Sequence, residues 1–167
     1  MAEFDIKKAE ELERQYDSGL NTRALGPTLL TFSFGFSVLF AAYHYITAGF
    51  GVPIDYWHMG FHMSGVILLV FIGFPAFRTA SSNIVQANTW WRFENVPIWD
   101  LLFIIVGVSC SLYIGITWYA IDFTFLGFHF QLPDQVLRQG NPATIDIVFG
   151  TALIVVLLEA VRRSLGI

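Results

Sequence analysis

Residues 141–167 read NPATIDIVFGTALIVVLLEAVRRSLGI. Asn141 is a side chain that caps helices, and Pro142 suits a first helical turn. An apolar run from Ile147 to Leu158 follows, then Glu159, Arg162 and Arg163. Asp146 lies near the positive end of the helix dipole and the two arginines near its negative end. From Pro142 to Leu165 the rise is about 36 Å at 1.5 Å per residue, enough to cross a hydrocarbon core of roughly 30 Å. The stretch predicts a capped membrane-spanning helix that leaves the bilayer on two arginines. The positive-inside rule places that exit in the cytoplasm.

Composition agrees. Of 167 residues, 55% are hydrophobic and 13% charged, against about 25% charged in a soluble domain. A net charge of −4 without a basic tract gives no support to nucleic-acid binding. Cys110 is the single cysteine and lies in an apolar run, so it reads as a small buried hydrophobe and no intrachain disulfide is possible. The first apolar run follows about 26 mostly polar, acidic residues, without a small-residue cleavage pattern, so the first helix is expected to be retained.

Working back from the last helix, the expected class is an all-α integral membrane protein. Residues 1–26 form a cytoplasmic segment with a short amphipathic helix, and 27–165 a four-helix membrane domain. The spans are expected at about 27–50, 55–77, 97–121 and 142–165. In the first, Ser33, Ser37 and Ala41 recur every fourth residue, with His44 on nearly the same face. Asp55 is a plausible cap for the second, and Pro75 would kink or end it. Residues 78–96 mix polar groups with Trp90, Trp91 and Phe93, as suits a segment in the headgroup layer. The third span carries a stripe, Gly107, Ser111 and Gly115, that lets another helix approach closely. Residues 122–140 form an outer loop, aromatic and then polar. With this layout Lys7, Lys8, Arg14, Arg23, Arg78, Arg92, Arg162 and Arg163 share one side and only Arg138 lies opposite. That eight-to-one split predicts both termini in the cytoplasm.

No charge falls in the middle of a span. Asp100 and Asp146 occupy first turns and Glu159 an inner end, where it can pair with Arg162 or Arg163. The Gly/Pro-broken helices that build transporter substrate sites are missing. So are glycine-rich phosphate loops, paired catalytic carboxylates and a recognisable nucleophile with its base, and no enzyme is expected. The chain reads as a scaffold or docking subunit. The histidines offer an alternative. His44 and His62 lie roughly 10 Å in from the outer ends of adjacent helices and could ligate a haem iron, as in the membrane anchor of a respiratory oxidoreductase. They could equally hydrogen-bond Tyr, Ser or backbone groups in a polar outer cluster. His58 and His62, four apart, lack a nearby cysteine to complete a zinc site.

Several stretches resemble a family. Residues 45–51 (YITAGFG), 96–102 (VPIWDLL), 144–150 (TIDIVFG) and 157–166 (LLEAVRRSLG) are similar to the small, four-helix, Q-type membrane module of TRAP transporters of the TAXI type. The resemblance implies a subunit of a sodium-driven symporter in a bacterial or archaeal cytoplasmic membrane. Its partners would be a large membrane subunit and a periplasmic substrate-binding protein, and its expected substrates carboxylates. The family's sodium and substrate ligands lie in the large domain, so no cofactor is expected in this chain. The module is often fused to that domain, so a separate subunit and one part of a split permease are both compatible. Gly107, Ser111, Gly115, Trp99, Asp100, Asp146, Glu159, Arg162 and Arg163 are the candidate helix-packing or subunit-interface residues.

Overall fold

Proline presets the first helix. Pro27 occupies its opening turn behind Gly26, and α1 runs Pro27–Phe50. It ends at Gly51, whose φ of 87° favours glycine and whose N–H closes on the Thr47 carbonyl at 2.9 Å. The computed structural model describes residues 22–52, 55–77 and 90–165. The expected N-terminal amphipathic helix and most of the 78–96 loop, including Arg78, lie outside the described residues.

The next helix, α2, spans Asp55–Gly73. It stops four residues before the expected 77, because Pro75 cannot supply the backbone donor that another turn needs. A two-residue β1 (Arg92–Phe93) and β2 (Val96–Pro97) pair across Glu94 and Asn95. Both turn residues have positive φ, 44° and 71°, as the tightest hairpin loops require. From β2 the chain passes into α3, Ile98–Ile116. This helix ends five residues before the expected 121, where Thr117 turns its hydroxyl back onto the Tyr113 carbonyl at 2.7 Å. Strands β3 (Ile121–Phe125) and β4 (Phe128–Leu132) then form an antiparallel hairpin within the stretch expected as an outer loop. A helical turn, Gln135–Arg138, precedes α4, Thr144–Leu165. Asn141 is not its cap: the helix starts three residues later, and Asp146 Oδ2 accepts the Ala143 N–H at 2.8 Å.

Four helices are thus long and apolar enough to cross a membrane. The core lies among α2, α3 and α4, with Ile67, Phe71, Cys110, Leu153, Val156 and Ala160 at its centre. Elsewhere the helices present bare apolar side chains, such as Phe34 and Leu39 at 71% exposure, which a hydrocarbon solvent covers and water would not. The chain is a multi-pass membrane protein by the length and hydropathy of its helices. In lipid, apolar burial gives helices no net attraction, so close packing must supply it. Gly107, Ser111 and Gly115 serve that purpose inside the bundle. A Cβ on Gly107 would sit 2.8 Å from Ile67 Cγ2 and 2.9 Å from Val156 Cγ1. One on Gly60 would meet the Ser111 carbonyl oxygen at 2.7 Å, and one on Gly115 the α2 backbone at 3.3 Å. Ser64 and Ser111 donate to carbonyls one turn back in their own helices. By contrast α1 buries no residue; it leans on α2 through Phe40, which packs over Gly65.

Candidate functional site

At the end of the bundle that carries Pro27 and Leu165, here the inner end, the four spans are tied through side chains. Asp100, in the first turn of α3, is 1% exposed. It accepts from Arg23, just ahead of α1, and from Arg163 Nη1 at 2.7 Å, in the last turn of α4. Glu159 Oε1 takes the Nε–H of Arg163 at 2.7 Å, and the same carboxylate takes two donors of Arg162 at 2.8 Å each. Arg162 also donates to the Ala76 carbonyl at 2.9 Å. The Arg163 guanidinium lies 4.5 Å from the Phe71 ring centroid, a cation–π contact that suits a partly desolvated arginine. The Arg23 N–H closes on the Gly73 carbonyl at 2.7 Å, so it also satisfies an orphan acceptor at the end of α2. Burial pushes the Arg23 guanidinium below its ordinary pKa, opposed by its hydrogen bond and charge interaction with Asp100. The contacts of Arg23 and Arg163 with one carboxylate also place both ends of the membrane domain on the same side.

The β1–β2 turn adds a clamp. Glu94 accepts the free N–H groups of Leu29 at 2.6 Å and Thr28 at 3.2 Å, capping α1 from a distant segment. The Leu29 N–H, then Thr28, holds the Glu94 carboxyl below its ordinary range, against a smaller upward effect of burial. A Cβ on Gly26 would strike the Glu94 side chain, and the Asn95 amide donates to the Ala24 carbonyl at 2.8 Å.

The opposite end holds two polar groups. Tyr113 donates to Asp146 Oδ1 at 2.6 Å. Arg138 approaches the same oxygen at 3.4 Å, with its side chain 7% exposed. None of its three guanidinium nitrogens makes a hydrogen bond. Leaving a buried donor unmet costs about 1–3 kcal/mol. Beside it a crevice of about 300 Å³ opens between α3 and α4.

The second group gathers the histidines. His44 Nδ1 lies 2.8 Å from the Phe40 carbonyl, which can only accept, so this nitrogen carries the hydrogen. In a neutral ring His44 Nε2 then accepts from His62 Nδ1 at 2.7 Å. His58 Nδ1 meets the Tyr43 hydroxyl at 3.0 Å. At 2.7 Å, His44 Nε2 and His62 Nδ1 are hydrogen-bonded to each other, as in a polar outer cluster. Among the described residues no cluster of three or more His, Cys, Asp or Glu could hold a metal ion.

The structure therefore brings Asp100, Glu159, Arg162 and Arg163 together at the inner end and places Asp146 apart from them at the other end, with Tyr113 and Arg138. Gly107, Ser111 and Gly115 line an internal seam. Trp99, 62% exposed, borders an apolar groove with Leu102, Val106 and Val155. Arg23, Glu94, Tyr113 and Arg138 were missed as contact residues by sequence reasoning. For Arg138 a signal existed, since the expected layout set it apart from the other eight cations; for Arg23, 77 positions from Asp100, none did. Comparison with protein-family profiles, curated proteins and solved structures finds no match.

Proposed function

We propose that the chain is the small scaffold subunit of a sodium-driven solute transporter of the TRAP, TAXI-like kind, and that it catalyses no reaction. The observation that carries this reading is the inner polar cluster. It joins all four spans into one body, while the mid-span hydroxyls of Ser64 and Ser111 are spent on their own helices. A bundle so built braces a moving neighbour and offers no polar path of its own. The stretches that resemble the family support the same reading. Residues 96–102 contain Asp100, residues 157–166 contain Glu159, Arg162 and Arg163, and residues 144–150 contain Asp146. The family likeness thus falls on the residues that organise the two ends. On this reading the chain lies in a prokaryotic cytoplasmic membrane with both termini inside. Its partners are a large transport subunit, which holds the sodium, and a periplasmic binding protein that delivers a carboxylate.

The test is purification of the tagged chain from its native membranes in mild detergent, with sodium-dependent carboxylate uptake measured in cells with and without the chain. A large multi-span partner at fixed stoichiometry, and uptake lost on deletion, are expected. Purification of the chain alone together with unchanged uptake refutes the reading.

A further inference from the structure

The crevice between α3 and α4 at the outer end has a polar rim and an apolar floor. Gln135, Arg138, Gln139 and Pro142 rim it, and Cys110, Ile114, Phe149 and Leu153 lie along it. From Asp146 to Leu153 it follows α4 for about 10 Å, at 1.5 Å per residue. A cation therefore stands at the end of the crevice beyond the spans, and an apolar channel leads from it along α4 toward the middle of the helix. We propose that this crevice binds one phospholipid of the outer leaflet, its phosphate on Arg138 and one acyl chain on the apolar floor.

Three observations carry the assignment. First, Arg138 keeps a guanidinium that is more than nine-tenths buried; it is ion-paired with Asp146 Oδ1 at 3.4 Å, but no hydrogen bond forms on any of its three nitrogens. Arginine presents its donors as a fork that matches two phosphate oxygens. Second, its neighbours are already engaged. Asp146 holds the Tyr113 hydroxyl on one oxygen and the Ala143 N–H on the other, and the Gln135 amide donates to Thr117 Oγ1 at 2.9 Å. The carboxylate of Asp146 also sits in the first turn of α4, whose dipole offsets its charge and favours an added anion. Third, the floor along Cys110, Ile114, Phe149 and Leu153 is apolar, and a small soluble anion would leave it uncovered. The nitrogens are covered as they stand, so engagement turns the arginine fork into the crevice rather than filling a preformed cup.

The probes are dioctanoyl phosphatidylglycerol, dioctanoyl phosphatidylcholine and inorganic phosphate, each titrated into the delipidated protein in mild detergent while its thermal midpoint is followed. Phosphatidylglycerol is expected to raise the midpoint by several degrees, phosphatidylcholine by less, and phosphate alone to do almost nothing. Arg138→Gln should weaken the phosphatidylglycerol response at least tenfold in midpoint concentration. That variant can also disturb the loop, so Gly150→Leu provides a second arm. Gly150 lines the crevice with nothing within 4 Å of where a Cβ would sit. Leucine there fills the acyl channel, keeps Arg138 and leaves the unliganded midpoint near the parent's. Loss of the response in both variants supports the site. An undiminished phosphatidylglycerol response in Gly150→Leu overturns it, and a full response to inorganic phosphate replaces the lipid with a soluble anion.

Discussion

Asp100→Asn removes one negative charge from the inner cluster and changes almost no volume. Its carboxylate, 1% exposed, faces two arginines whose side chains are each 3% exposed. Breaking a buried ion pair from one side typically costs about 3–5 kcal/mol, because the remaining charge is buried without compensation. The two arginines do not suffer equally. Arg163 keeps Glu159 Oε1 at 2.7 Å, whereas Arg23 keeps only the Phe74 carbonyl at 3.3 Å. We therefore expect the lower end, about 3 kcal/mol or roughly a hundredfold in the folding equilibrium. The assay is reversible unfolding in mixed micelles, followed by tryptophan fluorescence. A paired variant isolates charge from shape. Arg23→Met with Asp100→Leu removes both members of that pair and leaves Arg163 on Glu159, and replacing a buried pair by apolar groups is often neutral. The double variant should be more stable than Asp100→Asn alone. An Asp100→Asn protein within 0.5 kcal/mol of the parent, or a double variant worse than the single one, would refute the account of this cluster as a structural tie.

The glycine seam gives an internal comparison: Gly60→Ala should lose about 1–3 kcal/mol, since its Cβ would press on the unyielding Ser111 carbonyl, while Gly35→Ala, with nothing within 4 Å, should be neutral or slightly stabilising in the same unfolding assay. Glu94 predicts a pH effect. Its folded pKa is lowered, so its cap contributes fully above the ordinary value of 4.5 and is lost as pH falls through the folded pKa. Thermal midpoints between pH 7 and 3 should converge for parent and Glu94→Gln at the acid end, and parallel curves refute the cap. Sidedness is checked in a Cys110→Ser background with a membrane-impermeant thiol reagent on intact cells. Cysteine at the exposed Gln131 or Gln139, between α3 and α4, should label, and cysteine at the exposed Trp90 should not; the reverse pattern inverts the topology.

Much of the architecture was legible because spans announce themselves by local composition. Residues 144–165 hold acid at one end, bases at the other and little polarity between, and no tertiary information is needed to see that. The seam of α3 was legible by spacing, but not its partner, since Gly60 and Trp57 belong to another helix. Helix ends slipped where a local feature intervened, a competing hydroxyl bond at Thr117 and a missing backbone donor at Pro75. The outer hairpin carried a readable signal that its aromatic content obscured. Ile121, Phe123 and Phe125 alternate with Asp122 and Thr124, Phe128 and Phe130 with His129 and Gln131, around Leu126 and Gly127, whose φ values are 48° and 83°. That is the period of two and the turn chemistry of a hairpin. The inner cluster was only half legible. Glu159 with its arginines is a matter of i, i+3 and i, i+4 spacing, but nothing local joins Arg23 or Arg163 to Asp100.

The unequal packing of the four helices gives that cluster its importance. The close contacts of α2, α3 and α4 run along their length, through Gly60, Gly107 and Gly115. α1 buries no residue, and in lipid its apolar surface gains nothing by leaving the hydrocarbon. What locates it is a set of directional contacts. At the inner end they are Arg23 on Asp100 and on the end of α2, and Glu94 on the first turn. Further along they are Phe40 over Gly65 and His44 on His62. The inner cluster thus joins α1, the helix with the least packing of its own, to the other three through Arg23, and ties α3 to α4 through Arg163 at the same carboxylate.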